Sequence, residues 1–264
     1  VLVAGNYLYV GNKSSAAKDF IVLSIANTPN LSILGTLDLQ GNPLKMVAAG
    51  NYVFIASSDN TQELQVVDVS NKSSPLPAAI YDLSGNNDPT SITMSGSYVF
   101  VGRDVSGQNE FFVFDIGVGS GCLPISPCLI SQVILITGGQ AGYELLDMMA
   151  SSDGNYVYVI AEDGKFLRVN VADKYNPFVD AAVVNTHGGE KFVLTITNTR
   201  AYVGTQGVTG SGAGKDEIYI IDISNPATQN PYVLKSFNLG DNGIDVKSLS
   251  FAADVKHLIA ITGD

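Results

Sequence analysis

The sequence predicts an all-β fold, a β-propeller of four-stranded antiparallel blades, on three observations: a repeated phrase, strands apolar at consecutive positions, and no amphipathic helix. The phrase Gly-Asn-Tyr-x-Tyr/Phe-Val occurs at residues 5–10, 50–55, 96–101 (Ser97 for Asn) and 154–159. Degraded copies lie at 198–203 and 255–260. Taking Tyr7, Tyr52, Tyr98, Tyr156, Arg200 and His257 as equivalents, the steps are 45, 46, 58, 44 and 57 residues. A second landmark, in the Val-Val-Asp-Val phrase, falls at Ser24, Asp68, Asp115, Asn170 and Asp222, with steps of 44, 47, 55 and 52. Two landmarks in constant order, at a period in the forties with four strands per unit, are the mark of propeller blades.

The strand texture agrees. Tyr52-Val53-Phe54-Ile55-Ala56 and Ile218-Tyr219-Ile220-Ile221 are apolar without alternation, so both faces of each sheet must be covered. A parallel α/β fold would also cover both faces, but its crossover helices need an i, i+3, i+4, i+7 apolar stripe, and no window carries one.

Each element follows in order. Residues 46–49, 52–57, 64–69 and 78–83 form the clearest blade, separated by Gly50-Asn51, 58–63 and 70–77. Gly accepts positive φ, Asn tolerates it, and Pro fixes φ while withholding a donor, so these separators are turns. The preceding blade takes 1–4, 7–10, 20–25 and 33–39; the third takes 92–95, 98–102 and 111–116, with 133–137 as its outer strand after an insertion at 117–131. The fourth takes 148–150, 156–161, 166–171 and 178–184, and the fifth 194–197, 201–205, 218–223 and 233–239. Residues 249–252 and 258–262 supply two strands of a sixth. The whole of 1–264 reads as one propeller domain with an incomplete last blade. Because an unsealed sheet keeps an open edge, the natural polypeptide is expected to be longer.

Composition limits the partners. A net charge of −11 with a pI near 4.4 disfavours nucleic acid and anionic membranes, which recruit basic patches. The longest apolar runs are of strand length, too short for a membrane helix. Zero Trp, 27 Gly and loops rich in Asn, Ser and Thr suit an exported β-protein, and a chain that starts at Val1 without Met is expected to be a mature, trimmed or excised piece. An extracellular or cell-surface location is expected.

The copies Val66-Val67-Asp68-Val69-Ser70-Asn71 and Ile220-Ile221-Asp222-Ile223-Ser224-Asn225-Pro226 resemble the LVIVD-repeat β-propellers; Phe114-Asp115-Ile116 matches in part, and Val169-Asn170-Val171-Ala172-Asp173 departs from the pattern. That resemblance covers nearly the whole chain. It implies a bacterial or archaeal surface or secreted protein, in some cases the propeller head of a type IV pilin-like protein, and it carries no shared catalytic residues.

Candidate chemistry is sparse. Cys122 and Cys128 are the only cysteines, and in an exported protein they would close a surface loop; two inert thiols or a metal site are the other readings. The glycine-rich 207–215 lacks the first glycine, the Ser/Thr after Lys215 and the following helix of a phosphate loop, so a hairpin insertion is expected. His257 stands at the recurrent tyrosine position and is expected to pack as that ring does. His187 lies on a loop between blades, without a Gly-x-Ser-x-Gly elbow. Triplets beginning at Asn12, Asn30 and Asn71 fit the glycosylation pattern by chance composition.

Outer-to-next-inner loops and second-to-third-strand loops emerge on one rim, the channel mouth. They bring Asn87, Asp88, Glu144, Asp147, His187, Glu190, Asp241 and Asp245, then Asp59, Asp104, Glu162 and Asp163, to one face. Such oxygens can bind a ligand or Ca²⁺, which wants six to eight of them, although no EF-type ligand loop is present. The expected function is a non-enzymatic extracellular interaction or adhesion module contacting surface proteins, filaments or glycans, without cofactor. The alternatives are a hydrolase or lyase with its site at the channel mouth, using His187 and the rim carboxylates, and a structural subunit of a surface layer or pilus.

Overall fold

The computed structural model describes residues 1–13, 18–105, 107–137, 140–184, 189–206, 216–240, 244–252 and 257–263. It is a β-propeller architecture: among the described residues, five four-stranded antiparallel sheets in up-and-down order, with a two-stranded hairpin after the third and a two-stranded sheet at the end. The chain divides into two compact units, Val1–Asp104 with Phe111–Gln132, and Val105–Glu110 with Val133–Asp264.

Blade one comprises β1 (Leu2–Ala4), β2 (Tyr7–Gly11), β3 (Phe20–Ser24) and β4 (Ser32–Leu37). Blade two comprises β5 (Pro43–Ala49), β6 (Tyr52–Ser57), β7 (Leu64–Asp68) and β8 (Leu76–Tyr81). Blade three has β9 (Pro89–Ser95), β10 (Tyr98–Arg103), β11 (Phe111–Asp115) and β12 (Cys128–Val133), then a small hairpin, β13 (Ile136–Thr137) and β14 (Gln140–Ala141). Blade four has β15 (Leu145–Ala150), β16 (Tyr156–Ala161), β17 (Lys165–Asn170) and β18 (Phe178–Val184). Blade five has β19 (Gly189–Ile196), β20 (Arg200–Gln206), β21 (Ile218–Asp222) and β22 (Tyr232–Phe237), and β23 (Asp245–Phe251) pairs with β24 (Leu258–Gly263).

The second strands show why the sheets stack. In β6, β10 and β16 the first residue is a half-buried tyrosine and the next five are all buried. Alternate side chains leave by opposite faces. Val53, Ile55 and Val67 of blade two join Tyr9, Phe20 and Val22 of blade one, whereas Phe54, Ala56, Leu64 and Val66 join Val99, Val101, Phe112 and Phe114 of blade three. In the second unit Tyr158, Ile160 and Phe166 of blade four pack on Leu194, Val203 and Ile221 of blade five. Ile218 then packs on Val246 and Leu249 of the two-stranded sheet. Each core is therefore an inter-blade layer.

The turns explain the repeated phrase. Gly5, Gly50, Gly96 and Gly154 all carry positive φ between the first and second strands, at 59°, 58°, 56° and 70°. The landmark residue stitches the exit from the third strand. A side-chain oxygen of Asp68, Asp115, Asn170 and Asp222 accepts the backbone N–H two residues on, at 2.7, 2.7, 3.0 and 2.8 Å. Ser24 does so at 3.4 Å. This is the Asx-turn that Asp and Asn side chains make locally.

Two expectations are corrected. Blade three's outer strand is Cys128–Val133, and the more apolar run at 133–137 leaves the sheet for the small hairpin; Ile134 and Ile136 are exposed while Leu135 is buried. An outer strand has one wet face, so alternation marks it and an unbroken apolar run does not. His257 does not pack as a ring: it is exposed just before β24, where among the described residues no third strand covers it. The cysteine expectation holds, with Cys122 and Cys128 joined across Cα atoms 5.5 Å apart.

Candidate active site and relatives of the fold

A carboxylate stands five residues before the landmark in four of the five blades: Asp19, Glu63, Glu110 and Glu217. The three glutamates are fully buried at the entrance to the third strand. Each receives the N–H of a leucine just past the fourth strand: Asp19 from Leu39 at 3.2 Å, Glu63 from Leu83 at 3.1 Å, Glu110 from Leu135 at 2.7 Å and Glu217 from Leu239 at 2.7 Å. Glu110 also takes the N–H of Tyr143 at 3.1 Å. Burial pushes the Glu63 carboxyl above its ordinary value, against the pull of its backbone donors and of Arg103. Arg103 is itself fully buried, with its guanidinium 4.8 Å over the Phe112 ring and on the Ser84 carbonyl at 3.2 Å. These carboxylates escaped the sequence reading, which took them as loop residues; their fixed offset from the landmark was the available signal.

Blade four breaks this rule. The equivalent position is Lys165, half-buried, with its ammonium 4.9 Å from the centre of the Tyr143 ring. Around it the second-to-third-strand loop shrinks to a single 3₁₀ turn, Glu162–Gly164, closed by the Lys165 N–H on the Glu162 carbonyl. The Glu162 N–H binds the Glu144 carbonyl at 3.0 Å, and the two carboxylates come within 4.8 Å of each other. Glu162 is exposed and Glu144 half-buried. Carboxylates so placed can take a proton and return it.

The remaining rim residues are placed as follows. Asn87 is half-buried and Asp88 exposed on the loop after β8. Asp59 spends an oxygen on the Thr61 N–H at 2.9 Å, and Asp104 is exposed after β10. Asp147 is buried in β15, where it accepts the N–H groups of Met148 at 2.9 Å and Leu194 at 3.0 Å and so ties blade four to blade five. Asp245 is buried and pairs with Lys247 at 2.5 Å. His187 and Asp241 lie outside the described residues, as do the glycine-rich 207–215 and the side chains of Asp163 and Glu190.

The repeat itself has a known counterpart: the family model described as LVIVD repeat matches residues 1–38, 41–83 and 212–233. Those three stretches match the LVIVD repeat. No curated protein matches it in sequence. Among solved structures, the LVIVD-repeat chain is similar to a functionally unknown protein from Desulfotomaculum acetoxidans DSM 771, with a TM-score of 0.70 and 14% identity over 97% of this chain and 73% of that one. A candidate 6-phosphogluconolactonase from Bacteroides uniformis ATCC 8492 gives 0.71 and 16% identity over 96% and 73% of the two chains. The periplasmic gluconolactonase of Pseudomonas aeruginosa gives 0.66 and 12% identity over 91% and 69%.

These neighbours correct the expectation of a non-enzymatic module. Two of the three carry the names of lactone hydrolases, so they point to an enzyme. The expectation rested on the lack of a recognisable catalytic set in the sequence, and acid–base groups that a fold brings together leave no such motif. Identities of this size show the shared fold alone.

Proposed function

We propose that the LVIVD-repeat chain is a hydrolase of sugar-type lactones, working at the rim of blade four with Glu144, Glu162 and Lys165. The observation that carries this reading is the local break in the repeat. Where the other blades place a carboxylate bound to backbone, blade four places Lys165, three residues after Glu162 and against the ring of Tyr143, the sequence neighbour of Glu144. Departures from a fold's own local rule concentrate at functional sites. The names of the fold's neighbours supply the substrate class.

In the reaction, a carboxylate of the pair takes a proton as water adds to the lactone carbonyl. The resulting oxyanion lies against the Lys165 ammonium. The ring C–O bond then breaks, and the proton is returned to the leaving alkoxide, giving the open hydroxy acid. General base catalysis contributes about 10²–10⁴-fold, and an oxyanion donor about 10²–10³-fold.

The test is pH-stat titration of acid release from glucono-δ-lactone, with spontaneous opening subtracted. Acceleration by the protein is expected, falling about 100-fold in Glu144→Gln or Glu162→Gln and in Lys165→Met while the melting curve is kept. Release at the spontaneous rate, or full activity in all three variants, would overturn the proposal.

A further inference from the structure

A second site lies at the opposite end of the blade-four and blade-five strands, where the first-to-second-strand hairpins and the exit of β21 surround a cleft of about 490 Å³. This is within the range of small-molecule sites, roughly 300–1,000 Å³. Tyr158, the lining residue of β16 nearest to the Glu144–Glu162 pair, stands four residues before Glu162, about 13 Å at the rise of a strand.

The floor is aromatic. Tyr156 and Tyr158 sit two apart on β16, on one face, with ring centres 6.4 Å apart. Burial pushes the Tyr158 phenol up to about 12, with nearby Arg168 opposing, so it keeps its proton and remains a donor. The rim is a circle of uncharged polar groups plus one acid: Ser152, Asn198, Ser224 and Asp153. Ser152 Oγ and Asn198 Oδ1 meet at 3.0 Å across the two blades, closing one side of the opening.

Asp153 is not poised as a base. Desolvation pulls its carboxyl up, but hydrogen bonds from Ser151 Oγ at 2.5 Å and the Asn155 N–H at 3.0 Å outweigh that and hold it below the ordinary carboxylate range. It stays an acceptor. Next to the floor, the Arg168 guanidinium stands 5.2 Å over the Tyr156 ring, ion-paired with Asp180 at 2.7 Å and donating to the Gln229 carbonyl of blade five at 2.9 Å. Among the described lining residues there is no Lys, Arg or His.

An apolar aromatic floor under hydroxyl, amide and carboxylate groups suits a ligand with a C–H face and a ring of hydroxyls. The nearby cations are engaged elsewhere, Arg168 with Asp180 and Lys174 with the Gly154 carbonyl, so Asp153 at the rim disfavours anions. We infer that this cleft binds a neutral saccharide, of one or two rings, independently of the chemistry at Glu144 and Glu162. The molecule would then hold a glycan with one end of its strands while acting on a lactone at the other.

Saturation-transfer NMR of the intact protein with methyl β-D-glucopyranoside and cellobiose tests this, with sodium glucuronate as the anionic control. Transfer to the neutral sugars with a Kd of about millimolar is expected, as for a ligand of a dozen or so heavy atoms. Glucuronate should give no transfer. Asn198→Ala and Ser152→Ala, both exposed positions, should weaken binding about tenfold at unchanged melting temperature. Glu144→Gln should bind as wild type, which separates this site from the proposed catalytic one. No transfer from either neutral sugar, equal transfer from glucuronate, or wild-type affinity in both cleft variants would overturn the inference.

Discussion

Glu63 and Leu83 stand twenty residues apart and join the entrance of blade two's third strand to the exit of its fourth, through a 3.1 Å hydrogen bond from the leucine N–H to Glu63 Oε2. Both residues are buried, and the other oxygen, Oε1, has no partner in the structure. A fully buried carboxylate is costly unless hydrogen-bonded, so its place in a repeated position marks it as the lock of the blade edge.

Removing that lock strands a buried N–H. Glu63→Ala is expected to cost about 1–3 kcal/mol in urea unfolding, the price of one unsatisfied buried donor. Glu63→Gln keeps an acceptor for Leu83 and removes the titration. Because the folded carboxyl is raised above its ordinary value of 4.5, its contribution to stability is full below that value and is lost as pH rises through the folded pKa. The Gln variant should therefore lose less stability than wild type between pH 4.5 and neutrality.

The landmark aspartates have the opposite sign. Hydrogen bonds from Ser70 hold Asp68 below its ordinary value of 3.8, and those from Ser224 hold Asp222 below it as well, aided by Arg200. Their contribution is present above pH 3.8 and lost as pH falls through the depressed folded values. Asp222→Asn, which keeps an acceptor for the Ser224 N–H, should flatten the acid limb of a stability–pH curve. Asp222→Ala should lower stability at neutral pH by about 1–2 kcal/mol, measured by chemical denaturation.

Reducing the Cys122–Cys128 bond reopens a loop with a sequence separation of six residues. The loop-entropy model puts its worth at about 2 kcal/mol. A domain of this size shifts by about 2–4 °C per kcal/mol. Thermal melts with and without reductant should therefore differ by roughly 4–8 °C, and Cys122→Ser with Cys128→Ser should reproduce the reduced curve.

Gly204 lets blade five meet the two-stranded sheet. A Cβ there would lie 2.5 Å from Val246 Cγ1 and 2.9 Å from Val193 Cγ2. Gly204→Ala is expected to destabilise by about 1–3 kcal/mol through overpacking. Val246→Ala on the same background should recover part of that loss, read as a coupling energy in a double-mutant cycle.

The strands that a neighbour covers on both faces were legible from the sequence. Tyr52–Ser57 and Tyr156–Ala161 have the bounds that the apolar runs suggest, because burial on both faces leaves no polar break in the run. The outer strand Cys128–Val133 was not, since its exposed positions include the apolar Leu129, and a more apolar run follows it. Rim topology brought Glu144 and Glu162 forward as loop acids. Lys165 gained meaning only once the buried carboxylates of the other blades had a role, which no single copy reveals. The burial of Glu63, Glu110 and Glu217 was hidden because an acid just before a strand reads as solvated loop.

Four outer strands carry an extra residue at the same step of their pairing: Leu34, Ala78, Asp180 and Leu234 each stand unmatched opposite the third strand. A bulge fixes register, so one blade's fourth strand fits the third strand of another without slippage. Copies that align this well are interchangeable while the chain is still collapsing. Refolding at high protein concentration should therefore yield exchanged dimers, in which an outer strand from one molecule completes a sheet in the next.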